Sequence, residues 1–191
     1  MIKWILVAAG LATCTDNRAV STTNASPSTD LRTDSTARQP AQAQRVVVGA
    51  AQLPRYLPLL RGKRVGLVVN QTSRLGNTYL VDTLKALHVN LTAIFAPEHG
   101  FRGEATDGAT IANGRDARTG VPVRSVYGAT KKPTPEMLAD VDVLVFDIQD
   151  VGTRFYTFIS TLHYVMEAAA EQGKTVVVLD RPNPNGAVVD G

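Results

Sequence analysis

Apolar runs along the chain predict five strands, which cover residues 65–69, 91–95, 121–126, 141–146 and 175–179. The first of these, Val65-Gly66-Leu67-Val68-Val69, is a continuous apolar run. Such runs are typical of strands that are buried on both faces, as in a parallel sheet. The pattern therefore favours a sheet whose two faces are both covered.

Apolar residues recur at helical spacing between these strands. The clearest helix is predicted over 155–169, with Gly173 placed to end it in a left-handed conformation. A second helix is predicted after a cap at Asn77, and a short one over 135–138. Because strands and helices alternate, the predicted class is α/β with a parallel sheet and right-handed crossovers. The apolar positions are Phe155, Phe158, Ile159, Leu162, Val165, Met166 and Ala169 in the first helix, and Leu80, Leu84 and Leu87 in the second.

Polar side chains follow four of the five predicted strands. In an open parallel sheet, ligands bind just outside the carboxyl ends of the strands, so these side chains are predicted to face one crevice. They are Asn70, Gln71, Thr72 and Ser73 after the first strand, Glu98 and His99 after the second, Asp147, Gln149 and Asp150 after the fourth, and Asp180, Arg181 and Asn183 after the fifth.

Glu98 is the first candidate for chemistry. It follows a strand and a proline, and Phe95 and Phe101 flank it. Partial desolvation by these rings would raise the pKa of the carboxyl group and supply a general acid near neutral pH. The alternative is structural: Glu98 caps a turn or pairs with Arg102.

Asp147, Gln149 and Asp150 form a second candidate group. Asp147 and Gln149 alternate to the same side of the chain, and Arg154 follows closely. Arg154 can neutralise one carboxylate or bind an anionic ligand through two hydrogen bonds. The alternative is a structural Asp–Arg pair that holds the loop in place.

Composition and charge narrow the function classes. A net charge of +3 on 191 residues, with scattered arginines, gives no basis for nucleic-acid binding. No apolar run reaches the roughly 18 residues that a membrane-spanning helix needs. The loop after the first strand has neither G-x-G-x-x-G nor a Walker lysine, so no dinucleotide cofactor is predicted. No G-x-S-x-G motif supports a serine hydrolase.

A metal-dependent hydrolase that uses Glu98, His99 and Asp147 stays open as an alternative. No H-x-x-x-H pair or similar spacing supports it. Neither a metal nor another cofactor is therefore predicted.

The N-terminus has the pattern of an export signal. A basic start is followed by an apolar stretch, and Leu11-Ala12-Thr13-Cys14 resembles a lipobox, although Thr13 departs from the usual small residue. Residues 1–14 are therefore predicted to be a signal peptide that ends at a lipidated Cys14. A plain secretory signal and a misassigned start codon are the alternatives. Residues 15–44 are predicted to be a disordered tether, and 45–191 the folded domain.

The strand-end residues belong to longer motifs. Together these motifs closely resemble the NamZ-like exo-β-N-acetylmuramidases, and the resemblance covers the predicted globular part, residues 45–191. The motifs are Gly66-Leu67-Val68-Val69-Asn70-Gln71-Thr72, Phe95-Ala96-Pro97-Glu98-His99-Gly100-Phe101-Arg102-Gly103, Asp116 with Thr119-Gly120-Val121-Pro122-Val123, Val126-Tyr127-Gly128, Asp147-Ile148-Gln149-Asp150-Val151-Gly152-Thr153-Arg154-Phe155-Tyr156-Thr157 and Leu179-Asp180-Arg181-Pro182-Asn183-Pro184.

The resemblance implies a glycosidase of peptidoglycan recycling that removes β-linked N-acetylmuramic acid from non-reducing ends. It also implies a Rossmann-like N-terminal domain and a second, C-terminal domain that closes the cleft. That second domain is absent here, so the chain is expected to be an N-terminal fragment with little turnover of its own. The expected partners are peptidoglycan-derived saccharides, with no nucleic acid, and a membrane only through the N-terminal lipid.

Site residues follow from the same resemblance. It implies Glu98 as the general acid, and Asp147 or Asp150 would supply the second carboxylate that glycoside hydrolysis usually needs. The 2-acetamido group of the sugar or a residue on the missing half could act instead. Arg102 or Arg154 could anchor the lactyl carboxylate of the sugar. Asn70, His99, Asp116 and Gln149 are the other predicted substrate contacts. A wall-binding lipoprotein that holds fragments without cleaving them remains the alternative function.

Overall fold

The computed structural model describes residues 4–7, 10–11, 46–98, 101–102, 114–153 and 155–186. Several sequence predictions lie outside these residues. They are the lipidation site Cys14, the tether over 15–44, and the site residues His99 and Arg154.

Secondary structure alternates along the described residues. In chain order the elements are β1 (Trp4–Val7), β2 (Gly10–Leu11), β3 (Val46–Val47), a 3-10 turn (Gly49–Ala51), α1 (Leu53–Leu60), β4 (Val65–Val69), β5 (Arg74–Leu75), β6 (Thr78–Tyr79), α2 (Leu80–Ala86), β7 (Leu91–Ala96), β8 (Gly114–Arg115), β9 (Pro122–Ser125), a second 3-10 turn (Glu136–Leu138), β10 (Val143–Asp147), α3 (Phe158–Glu171) and β11 (Thr175–Leu179).

Seven strands form one sheet in the order β1-β11-β10-β4-β7-β9-β8. Every neighbouring pair is parallel except β8 with β9. The predicted α/β class with a mostly parallel sheet is confirmed. From β4 the chain moves outward through β7 to β9, and then continues at β10 on the other side of β4. This reversal is the doubly wound, Rossmann-like order, and it puts the switch point between β4 and β10.

Helices cover both faces of the sheet, which explains why the central strands β4 and β10 are buried along their whole length. Alternate residues of β4 and β10 pack on one face with α1 and α2, through residues such as Tyr56 and Leu84. The other residues pack with α3, through Phe158 and Val165. Gly66 is needed on this second face, because a Cβ there would lie 2.8 Å from Cε2 of Phe95.

The five long strands match their predictions closely, but helix boundaries differ. Helix α3 begins at Phe158, and Phe155 lies before it with 81% of its surface exposed. Helix α2 begins at Leu80 without a side-chain cap, because residues 74–79 form the β5–β6 hairpin that contains Asn77. Helix α1 was not predicted, since its two prolines interrupt the helical pattern. One lies in its first turn, where proline is tolerated.

Strand β1 belongs to the segment that the sequence predicts to be a leader. Trp4–Val7 pairs in parallel with β11 as the outer strand of the sheet. If a peptidase removed the leader, β11 would become the outer strand of the sheet on this side. Signal peptide, tether and domain boundary all stay predictions. None of the described helices is long and apolar enough to cross a membrane.

Candidate functional site

A cavity of about 320 Å³ opens at the carboxyl end of the sheet, on the face that α3 covers. The loops after β7 and β9 and the first turns of α3 build its wall. Its lining consists of Pro97, Glu98, Val126, Tyr127, Lys131, Thr157, Ser160, Thr161 and Tyr164. This volume is at the small end of the range for ligand pockets, which suits one sugar ring.

Glu98 is held in this cavity by Tyr127, whose hydroxyl donates a hydrogen bond of 2.8 Å to Oε1 of Glu98. The backbone brings the two together, since Val126 N donates to the carbonyl of Ala96 at 3.0 Å and so joins the ends of β7 and β9. The hydrogen bond to Glu98 raises the pKa of Tyr127, so the phenol stays a donor at neutral pH. A carboxyl group with a fixed position at a cavity wall is suited to proton transfer.

Hydroxyl groups and one amine provide the other polar atoms of the cavity. Ser160 and Thr161 project from the first turn of α3, and Tyr164 lies one turn further. Lys131 contributes the ammonium group from the segment after β9. Hydroxyl, carboxyl and amine groups around a small cavity can form hydrogen bonds with a hydroxylated ligand.

Asp147 does not line this cavity. It is fully buried, and Nε and Nη2 of Arg181 donate to its two oxygens at 2.6 and 2.9 Å. Alternation along β10 turns Asp147 to the same side as Val145, toward the face that α1 covers. Burial raises the pKa of Asp147, and the charge of Arg181 opposes this effect. The geometry favours the structural alternative, an Asp–Arg pair, with Arg181 instead of Arg154 as the cation.

Asp150 and Gln149 connect the loops after β10 and β11. Oδ1 of Asp150 accepts hydrogen bonds from the amides of Val151 and Gly152 at 2.8 and 3.4 Å. Nε2 of Gln149 donates to the carbonyl of Pro182 at 2.9 Å. These contacts hold a loop, and neither residue is part of the cavity lining.

Asn70 lies at the switch point, fully buried. Its Oδ1 accepts hydrogen bonds from N and Oγ1 of Thr72 at 2.9 and 2.5 Å. Thr72 Oγ1 in turn accepts from the amide of Gln149 at 3.0 Å, which links the ends of β4 and β10. Among the described residues Nδ2 of Asn70 finds no partner.

Arg102 and Asp116 belong to a separate, nearly buried ion cluster. Nε and Nη2 of Arg102 donate to the two oxygens of Asp116 at 2.9 and 2.8 Å, and Nη2 also donates to Asp82 at 3.0 Å. Burial alone would raise the pKa of Asp116, but hydrogen bonds from Arg102 and Thr119 lower it to about 2. Because two carboxylates neutralise Arg102, its guanidinium is not available to hold an anionic substrate.

Of the predicted site residues that the structure describes, Glu98 alone lines the cavity. The other six form hydrogen bonds or ion pairs outside the cavity lining, and they are Asn70, Arg102, Asp116, Asp147, Gln149 and Asp150. The residues that sequence reasoning missed are Tyr127, Lys131, Ser160, Thr161 and Tyr164. One signal was present for Tyr127, since it follows the third predicted strand just as Glu98 follows the second. The hydroxyls of α3 gave no signal, because polar residues on a helix usually face water.

Comparisons with known proteins connect this geometry to a family. The family model described as "Exo-beta-N-acetylmuramidase NamZ, N-terminal" matches residues 65–191. A curated relative, the peptidoglycan beta-N-acetylmuramidase NamZ of Bacillus subtilis (strain 168), is 56% identical over 138 residues, covering 70% of this chain and 33% of the relative. The chain thus spans about a third of the length of that relative.

Two crystal structures of DUF1343 family proteins from Bacteroides fragilis NCTC 9343 share the fold, each with a TM-score of 0.67. The first is 48% identical, and the match covers 74% of this chain and 36% of the chain in that crystal structure. The second is 42% identical, and the match covers 78% of this chain and 38% of the chain in that crystal structure. The chain belongs to the NamZ exo-β-N-acetylmuramidase family, and the part of the family that it matches is the N-terminal one.

Proposed function

We propose that this chain forms the Glu98-bearing part of a glycosidase that releases β-linked N-acetylmuramic acid from the non-reducing ends of peptidoglycan fragments during cell-wall recycling. The observation that carries the proposal is Glu98, held by Tyr127 in a cavity suited to one sugar ring. Membership of the NamZ family supports the reaction class and the sugar.

In this proposal Glu98 is the general acid. It protonates the oxygen that leaves when the glycosidic bond breaks, and the same carboxylate can later take a proton from the attacking water. The hydroxyls of the cavity orient the ring so that this oxygen lies within hydrogen-bonding distance of Glu98.

A second catalytic group is required, and Glu98 is the one carboxylate among the described residues that line the cavity. Asp147 is engaged by Arg181, and Asp150 is engaged by its own loop. We propose that the 2-acetamido group of the sugar, or a side chain beyond the matched third of the family's length, acts on the other face of the ring.

The test measures release of a phenol from an aryl β-N-acetylmuramide. The protein is residues 1–191 joined to the part of the Bacillus subtilis relative that follows its matched region. Glu98→Gln should lower kcat at least about a hundredfold, because general acid catalysis contributes about 10²–10⁴-fold. A more acidic phenol needs less protonation, so the loss should shrink with a dinitrophenyl leaving group. Glu136→Gln, which removes an exposed carboxylate away from the cavity, is the control.

Three results would contradict the proposal. Equal rates for Glu98→Gln and Glu136→Gln would remove Glu98 from the reaction. Binding of the sugar without release would favour the alternative of a wall-binding module. Release that a chelator abolishes would indicate a metal-dependent hydrolase. For that last alternative the described residues offer no group of three His, Cys, Asp or Glu side chains, and His99 lies outside them.

We propose further that the protein is exported and faces the cell wall, with Cys14 as its lipid anchor. The support is the lipobox-like sequence before Cys14 and a substrate class located in the wall. The mass of the mature N-terminal peptide checks this, and an unmodified Met1 in that peptide would refute it.

A further inference from the structure

We infer that Lys131 gives the cavity its preference for an acidic sugar, because its ammonium group binds the carboxylate of the lactyl substituent. The inference rests on the proposed function and adds to it the residue that distinguishes N-acetylmuramic acid from neutral N-acetylglucosamine. Three observations lead to it: the placement of Lys131, the charge balance of the cavity, and the engagement of the nearby arginines.

Two neighbouring lysines have different surroundings. Nζ of Lys132 forms ion pairs with Glu167 and Glu171 of α3, at 3.3 and 2.7 Å. Lys131 lines the cavity, is exposed, and has no ion pair with any described carboxylate. Lys132 thus fixes this segment against α3, and Lys131 keeps a free charge at the cavity wall.

The charge balance of the cavity follows from its lining. Glu98 and Lys131 are the ionisable carboxyl and amine groups among the described lining residues. No ion pair joins Lys131 to Glu98 or to another described carboxylate, and Oε1 of Glu98 instead accepts the hydrogen bond from Tyr127. An anionic substituent on the sugar would therefore meet an unpaired ammonium group in the cavity lining.

Several of the described arginines form ion pairs with carboxylates. Arg102 is held by Asp116 and Asp82, and Arg181 by Asp147. Arg124 forms an ion pair with Asp140 at 2.7 Å. Removing any of these cations from its partner would leave a carboxylate unpaired, whereas Lys131 can bind a ligand without breaking an ion pair.

The test is calorimetric titration of the full 191-residue chain with three probes. They are the methyl β-glycoside of N-acetylmuramic acid, the methyl ester of its lactyl group, and the methyl β-glycoside of N-acetylglucosamine. The ester keeps the shape of the acid but loses its charge. Comparing the acid with the ester therefore isolates the ion pair from the other contacts of the lactyl group.

Lys131→Met should weaken binding of the acid about five- to twentyfold, because a charged hydrogen bond at a partly exposed site contributes only modest binding free energy. The affinity for the ester should not change. Lys131→Arg should restore the preference for the acid, and added salt should reduce it in the unaltered protein. Lys85→Gln removes an exposed charge from α2, on the opposite face of the sheet, and should have no effect.

Equal binding of acid and ester by the unaltered protein would overturn the inference. An equal loss for acid and ester in Lys131→Met would also overturn it, because that result indicates a change of shape. Absence of binding by all three probes would overturn it as well. None of these results removes Glu98 from the reaction, since the turnover test decides the proposed function separately.

Discussion

At the scale of single residues, the hydrogen bond from Tyr127 fixes the position of the Glu98 carboxyl group, which lies on a loop. Tyr127 touches no reacting atom in the proposed reaction, so it is a positioning residue. Its effect should therefore appear in the step that needs the proton of Glu98.

Tyr127→Phe removes the donor and keeps the ring. In the joined protein it should lower kcat by up to about tenfold for a poor leaving group, the upper end of the effect expected for losing one hydrogen bond. KM should change little, and a dinitrophenyl leaving group should hide the defect. Steady-state kinetics with both substrates checks this. Tyr156→Phe, outside the cavity lining, is the control, and a defect independent of the leaving group would contradict a positioning role.

At the scale of elements, the cluster of Arg102, Asp116 and Asp82 joins the loop after β7 to the β8–β9 hairpin and to α2. The side chain of Asp116 is 4% exposed, and its pKa is about 2 instead of the usual 3.8. Because the pKa of Asp116 is lower in the folded state than in the unfolded state, its carboxylate stabilises the fold at pH values above 3.8. This stabilisation is lost as the pH falls from 3.8 toward 2.

Asp116→Asn should therefore lower the free energy of unfolding by about 2 kcal/mol at pH 7, and by progressively less as the pH falls toward 2. Denaturant unfolding at a series of pH values measures this. Asp140→Asn affects a more exposed ion pair, in which the carboxylate side chain is 44% exposed, and should cost under about 1 kcal/mol. The same pH dependence in Asp116→Asn and the unaltered protein would show that the cluster does not stabilise the fold.

At the scale of the whole molecule, the cavity at the carboxyl end of the sheet has Glu98 as the carboxylate of its described lining. The chain spans about a third of the curated relative's length. A reaction that needs a second group and a site closed to water should depend on more of the family's length than this.

The 191-residue chain alone should still bind the methyl glycoside of N-acetylmuramic acid. Its rate of phenol release should be at least about a hundredfold lower than that of the joined protein, because loss of catalytic positioning commonly lowers a rate by this factor. Parallel turnover and titration experiments compare the two. Equal turnover by the chain alone would mean that the reaction needs no catalytic side chain from beyond residues 1–191.

Sequence by itself determined the class of fold, since continuous apolar runs such as Val65–Val69 must be covered on both faces. It also indicated the edge of the sheet at which the candidate site lies, and Glu98 within it, because polar residues after parallel strands meet at one end.

Tertiary structure alone decided which of these polar residues share a cavity. Asp147 and Glu98 both follow strands, but the side of the sheet on which a side chain emerges depends on residue parity and on the bend of each loop. Arg181 and Asp82 come from distant parts of the chain to neutralise Asp147 and Arg102. Such pairings are contacts between segments, and local pattern does not contain them.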